Sequence, residues 1–160
     1  MNSEYKQKLE WAQKNKKEIK RTVAALKKIR KGYADKLIHP LHEQAFACVD
    51  CLQCANCCST TGPLINKKDI DRIANHLDLK ATTFTDKYLR LDEDNDLVLK
   101  NLPCTFLDND NYCSIYEVRP KACREYPHTD RKNQQGILSV TQKNTTICPA
   151  VAHIFANLTT

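Results

Sequence analysis

The residues with the most evident chemistry are nine cysteines in a chain of 160 residues. Cys48, Cys51, Cys54 and Cys57 recur at every third position, and Cys58 follows directly. A thiolate is a soft anionic ligand, and Cys-x2-Cys lets one turn of backbone aim two sulfurs at a tetrahedral centre about 2.3 Å away. Four further cysteines, Cys104, Cys113, Cys123 and Cys148, lie near Pro103, Pro120, Pro127 and Pro149 or among turn residues. Metal-binding knuckles have the same texture. The competing reading is an oxidised framework, but the cysteine count is odd and the amino terminus is a run of Lys, Glu and Gln without the apolar stretch of an export signal. The expectation is therefore a cytoplasmic protein with reduced thiols and no membrane span.

Setting Cys48 aside leaves eight candidate metal ligands: Cys51, Cys54, Cys57, Cys58, Cys104, Cys113, Cys123 and Cys148. Adjacent side chains such as Cys57 and Cys58 point to different sides in an extended or turn segment, so two neighbouring centres sharing this stretch are easier to build than one. Eight thiolates supply two four-sulfur sites, or one iron–sulfur cluster with a second metal. The expected cofactor is zinc or iron, and the spacing does not choose between them. The alternative for any one cysteine, Cys48 foremost, is a small buried hydrophobe.

Arg119 and Arg124 flank Cys123. A guanidinium there could offset thiolate charge or hold an anionic cofactor; salt bridges to Glu117 or Glu125 are the structural alternative. His39 and His42 precede the cluster and could lend a nitrogen ligand, a weaker reading with eight thiols at hand. No Ser-His-Asp or paired-carboxylate arrangement can be argued, and three glycines leave no material for a Gly-rich phosphate loop.

The elements that must position these residues divide by charge. Residues 1–36 carry 12 Lys or Arg against 4 acids, and residues 37–160 carry 13 against 15, so the net charge of +6 originates in the first segment. Tyr5, Leu9, Ala12, Lys16, Ile19, Val23, Leu26, Arg30, Tyr33 and Leu37 step by four and three, a heptad seam that predicts one helix over 3–37, weakening at Gly32 and ending at Pro40. Its stripe would pack on the cysteine domain, on a second copy or in a partner's groove. Tyr5, Trp11 and Tyr33 are too sparse to stack on bases, which argues against nucleic acid. Further helices are predicted over 66–79, with Asp69 and Asp71 in the first turn, over 82–88, and over 150–157 after Pro149. Strands are predicted over 97–100 and 137–140, with a turn at 108–111.

The ordered string Cys51-x2-Cys54-x2-Cys57-Cys58, then Pro103-Cys104-x-Phe106-Leu107, then Cys113-Ser-Ile-Tyr116-Glu117-x-Arg119-Pro120-x2-Cys123-Arg124-x-Tyr126-Pro127, and finally Cys148-Pro149, resembles the CxxCxxCC zinc- or iron-chelating family, also called YkgJ-like cysteine cluster proteins. Asp69-Ile70-x-Arg72-Ile73-Ala74, with Phe84 and Tyr88 after it, is similar to the helix that family places behind its cluster. The resemblance runs from about Cys48 to His153 and implies metal binding, with iron–sulfur oxidoreductase-like members. The same motif occurs in flagellin lysine N-methylases, which are larger chains. Two departures are Cys48 itself and Ala55-Asn56, where the family often has Gly before Cys57; Asn56, tolerant of left-handed angles, is expected to make that turn.

The sequence thus predicts a helix-rich α+β fold, a small cysteine-knuckle metal-binding domain over 41–160 preceded by a basic amphipathic helix over 1–40. The expected function is zinc or iron–sulfur binding, with redox chemistry if the metal is iron. The rival is a zinc-stapled interaction module that presents the basic helix to a protein partner and catalyses nothing. A metal buffering or delivery protein is a third reading.

Overall fold

The lysine-rich amino terminus is helical, as its seam predicts, and it stops where Ile29 turns extended. In the computed structural model, which describes residues 1–158, the helices are α1 (Ser3–Lys14), α2 (Lys16–Lys28), α3 (Tyr33–Cys48), α4 (Cys51–Cys54), α5 (Asn56–Thr60), α6 (Lys67–His76), α7 (Ala81–Tyr88), α8 (Lys121–Glu125), α9 (Leu138–Asn144) and α10 (Pro149–Leu158). Two short strands, β1 (Leu89–Leu91) and β2 (Leu97–Leu99), pair antiparallel with Leu89 opposite Leu99. This is a helix-rich α+β chain with a long amino-terminal helix. It forms two units, one made of Met1–Cys54 with the chain from Pro127 onward, the other of Ala55–Tyr126. Among the described residues no helix is long and apolar enough to cross a membrane.

In the first unit, the Asn2 side chain caps α1 by accepting the Tyr5 N–H at 2.9 Å. Backbone bonds continue across Asn15, so α1 and α2 follow one another with only a local irregularity. The rod ends at Ile29, and Gly32 takes φ +79°, a left-handed angle that opens α3. The expected continuation to Leu37 and stop at Pro40 is therefore corrected: the rod ends at Ile29, and Pro40 lies inside α3. Proline there forgoes one helical hydrogen bond. α3 persists because Ala34, Ile38 and Ala45 are buried and the helix packs on α10. Tyr5, Ala12, Ile19, Val23 and Leu26 of the predicted seam are all buried, with α1 against α10 and α2 against α9. The strand predicted over 137–140 is instead the start of α9. Its buried positions, Leu138, Thr141 and Asn144, recur every third residue, and the Thr141 hydroxyl donates to the Ile137 carbonyl.

The second unit is organised around Phe84, fully buried with Ile65, Ile73, Leu89, Leu99, Phe106 and Ile115. The Phe84 and Phe106 rings stack at 6.4 Å, and Tyr88 tilts against both at 5.2 and 5.1 Å. α6 begins where its capping residues dictate. Asn66 accepts the Asp69 N–H at 2.9 Å, and the Asp69 carboxylate accepts the Asn66 N–H at 3.2 Å, a closed capping box. The helices predicted near 66–79 and 82–88, the strand at 97–100 and the carboxy-terminal helix are all present, with β1 an addition. The predicted turn at 108–111 closes on the Asn111 N–H to Asp108 carbonyl bond, beside the bridge between Leu107 and Cys113.

Candidate metal centre

In the second unit, Cys57 and Cys58 sit on the short helix α5, their sulfurs 4.0 Å apart. Ala55 precedes that helix at φ +47°, so it is Ala55 and not Asn56 that makes the left-handed turn between the cysteine pairs. The Asn56 reading is corrected on this point. A left-handed alanine costs about 1–2 kcal/mol, and Ala55 is held there by burial and by its carbonyl, which accepts from Ser59 N–H and hydroxyl. The Cys104 N–H donates to the Cys58 carbonyl at 2.8 Å, tying the Pro103–Cys104 segment to α5. Cys113 follows on the partner strand of the Leu107 bridge, and Cys123 lies within α8.

The thiols of this unit act on one another. Burial pushes Cys104 up to about 11, with the charges of Cys58 and Cys113 adding to the rise. Burial likewise raises Cys123 to about 12, reinforced by Cys58, Cys104 and Cys113. Cys113 is raised for the same reasons, burial first and Cys58 after it. Cys58 is the exception: the hydrogen bond from the Cys57 thiol lowers it to about 7 against the opposing effect of burial. Cys58 is thus set apart from Cys104, Cys113 and Cys123, and its charge is felt by all three half-buried neighbours. The Arg119 charge lowers both Cys113 and Cys123. Its guanidinium lies 3.8 Å above the Tyr116 ring and donates to the Tyr116 carbonyl at 2.7 Å. Arg124 lies in the last turn of α8. Among the described residues neither arginine pairs with Glu117 or Glu125; Glu125 faces Lys121 instead, at 3.6 Å.

Behind these cysteines stands Asp69, 1% exposed. It accepts from Arg72 at 2.6 Å and from the Lys121 N–H, at the first residue of α8, at 3.0 Å. Arg72 in turn donates to the carbonyls of Val118 at 3.2 Å and Arg119 at 2.9 Å. Asp69 and Arg72 together therefore fix both ends of the segment that carries Arg119 into Cys123. Sequence reasoning saw Asp69 only as a dipole partner in a first turn and passed over the role of Arg72.

In the first unit, Cys51 and Cys54 bound the single turn α4. Asp50 precedes it, its carboxylate accepting the Leu52 N–H at 2.9 Å and its carbonyl the Cys54 N–H at 3.1 Å. Cys148 is buried and sits just before Pro149, where its sulfur accepts the N–H groups of Ala150 and Val151 at the start of α10. Burial drives it up to about 12; those two N–H groups oppose the rise, and the charges of Cys51 and Cys54 add to it. Tyr5 of α1 reaches the same stretch: its hydroxyl accepts the Asp50 N–H at 2.8 Å and lies 3.4 Å from the Cys48 carbonyl. Nothing in the heptad pattern distinguished Tyr5 from the other seam residues. His42 meets Thr129 at 2.8 Å and His39 the Arg131 carbonyl at 3.0 Å, so both are engaged away from the cysteines. Cys48 is exposed.

Among the described residues all nine cysteines are thiols, and no three His, Cys, Asp or Glu side chains converge on a common point as a bound ion requires. The donor set nevertheless suits a soft metal: burial raises Cys123 and Cys148, the neighbouring thiols of the same unit add to the rise, and a cation removes that opposition. No solved structure matches the chain. An uncharacterised protein of Methanocaldococcus jannaschii, MJ0661, is 34% identical over 82 residues, covering 49% of this chain and 44% of that protein. The family model described as "Putative zinc- or iron-chelating domain" matches residues 50–149, which takes in all eight candidate ligands and leaves out Cys48 and helices α1 to α3. The chain belongs to this CxxCxxCC family of zinc- or iron-chelating domains.

Proposed function

We propose that the protein binds metal through two thiolate sets, one in each unit: Cys58, Cys104, Cys113 and Cys123, with Cys57 beside them, in one, and Cys51, Cys54 and Cys148 in the other. The observation that supports this reading is how the thiols couple. Those acting on Cys104, Cys113 and Cys123 come from the second unit, and those acting on Cys148 from the first. Thiols that resist ionisation are deprotonated outright by a bound cation. The metal supplies a cross-link between segments far apart in sequence, and its binding free energy becomes folding free energy. Iron with sulfide would add electron transfer, and Arg119, already lowering Cys113 and Cys123, would tune that centre. Arg124, next to Cys123, is a second candidate for that role by position alone. Zinc would act as a staple without redox chemistry. Thiols in this number suit a reducing compartment such as the cytoplasm. The interaction-module reading would have the lysine face of α1 and α2 as its contact surface, since their apolar stripe is covered by α9 and α10.

The test is an anaerobic preparation of the full chain with zinc and iron both supplied, analysed for metal and acid-labile sulfide alongside C123S and C148S. Each substitution is expected to remove the metal of its own unit and spare the other. A brown protein with sulfide assigns redox chemistry, and a colourless zinc protein assigns the staple. A metal-free wild type, or one with its cysteines paired as disulfides, overturns the reading.

A further inference from the structure

The first unit carries a concave surface that the cysteines do not explain. A cavity of about 510 Å³ lies between α2 and α9, lined by Lys16, Lys17, Lys20, Lys143, Ser139 and Thr146 among others. Small-ligand pockets commonly measure about 300–1,000 Å³. Four lysines line this space, and among the described residues no carboxylate does. The surrounding sequence sharpens the imbalance: residues 16–31 hold eight Lys or Arg and one acid, Glu18, and α9 holds Lys143 and no acid. Lys16 and Lys20 stand one helical turn apart and repel each other. Lys27 donates to the Ser139 hydroxyl at 3.1 Å, which adds a fifth ammonium at the rim and leaves the Ser139 proton available to donate. The lining has no aromatic side chain on which a base could stack, so charge is the means of recognition.

We propose that the α2–α9 cavity binds a compact polyphosphate anion, the chemistry shared by inorganic tripolyphosphate and the triphosphate of a nucleotide. Lysine ammoniums bind phosphate oxygens as point charges, and four of them around one concavity match an anion of three or four charges better than a single phosphate. The α2 lysines lie outside the residues that the family model matches, whereas Ser139, Lys143 and Thr146 lie within them, so metal content is followed alongside anion binding to keep the two sites distinguishable.

The experiment is calorimetric titration of the full chain at low salt with sodium tripolyphosphate, with ATP and with a 20-nucleotide RNA. K16Q/K20Q/K143Q is compared with K67Q/K68Q/K80Q, which removes the same charge from exposed positions of the other unit. Far-UV circular dichroism checks that both variants fold, and metal content is measured before and after titration. One equivalent of tripolyphosphate is expected to bind, at least tenfold more weakly to the first variant and within twofold of wild type to the second. ATP binding markedly tighter than tripolyphosphate would identify the nucleotide as the source, and equal affinities the inorganic anion; either supports the site. Equal weakening in both variants, heat that tracks metal stripping, several equivalents bound, no binding, or RNA bound tenfold tighter than tripolyphosphate would each overturn it.

Discussion

Replacing Asp69 by asparagine separates the scaffold of the second unit from its thiols. The carboxylate, 1% exposed, accepts three hydrogen bonds: from Arg72 at 2.6 Å, the Lys121 N–H at 3.0 Å and the Asn66 N–H at 3.2 Å. A bond to a charged group is worth about 1.5–3 kcal/mol. Asparagine keeps one oxygen acceptor, and Arg72, 29% exposed, can recover part of its hydration. The expected cost is therefore about 2–3 kcal/mol, or roughly 30- to 150-fold in the unit's folding equilibrium. Burial alone would raise the Asp69 carboxyl, but Arg72 and the N–H groups of Lys121 and Asn66 outweigh it and hold the group below the usual carboxylate range. A depressed native value means that the stabilisation is complete above the unfolded pKa of about 3.9 and is lost as pH falls through the folded one. Urea unfolding from pH 7 downward should therefore show a wild-type acid limb that D69N lacks. Hydrogen exchange should quicken at Lys121 and along residues 118–124, and metal assigned to Cys123 should be held less tightly while that of Cys148 is unchanged. A cost under about 0.5 kcal/mol with parallel pH profiles would refute the reasoning.

Two backbone substitutions should act with opposite signs. Gly32→Ala, at φ +79° with open space where its Cβ would lie, is expected to cost about 1–2 kcal/mol by thermal unfolding, all of it conformational. Ala55→Gly removes the left-handed strain at φ +47° and should recover about 1 kcal/mol, less any entropy the more flexible unfolded chain gains; a loss of stability there would mean that the methyl group packs usefully. Tyr5→Phe deletes the hydroxyl that accepts from Asp50, at about 1 kcal/mol, and should speed the reaction of Cys51 and Cys54 with a thiol reagent in the metal-free protein. Unchanged rates would show that the turn α4 does not depend on that hydroxyl.

Most of the elements were legible because local chemistry and tertiary packing agreed. Asn66 and Asp69 announce α6, the spacing of Phe84 and Tyr88 announces α7, and Tyr5, Ala12, Ile19, Val23 and Leu26 of the seam are buried as its period requires. The misreadings arose where one rule was applied without its competitor. Pro40 reads as a stop because it lacks an N–H, yet a helix that buries Ala34, Ile38 and Ala45 tolerates one lost hydrogen bond. Ile137 and Val140 are β-favouring and suggest a strand, whereas the period that matters runs on through Thr141 and Asn144.

The grouping of the thiols is the less legible part, because spacing names candidate ligands without pairing them. Cys54 and Cys57 belong to one run in sequence, yet they fall in different units, with the left-handed Ala55 between them. The grouping depends on which backbone each sulfur rides. The Cys104 N–H donates a hydrogen bond to the Cys58 carbonyl, Cys123 is placed by Asp69 and Arg72 acting on the chain around it, and Cys148 is placed by the start of a helix that also receives α1 and α3. None of these placing interactions involves a cysteine side chain except the cap at Cys148. Substituting Asp69, Arg72 or Tyr5 should therefore alter metal affinity while every thiol remains in the chain, an effect that a purely local Cys-x2-Cys knuckle would not display.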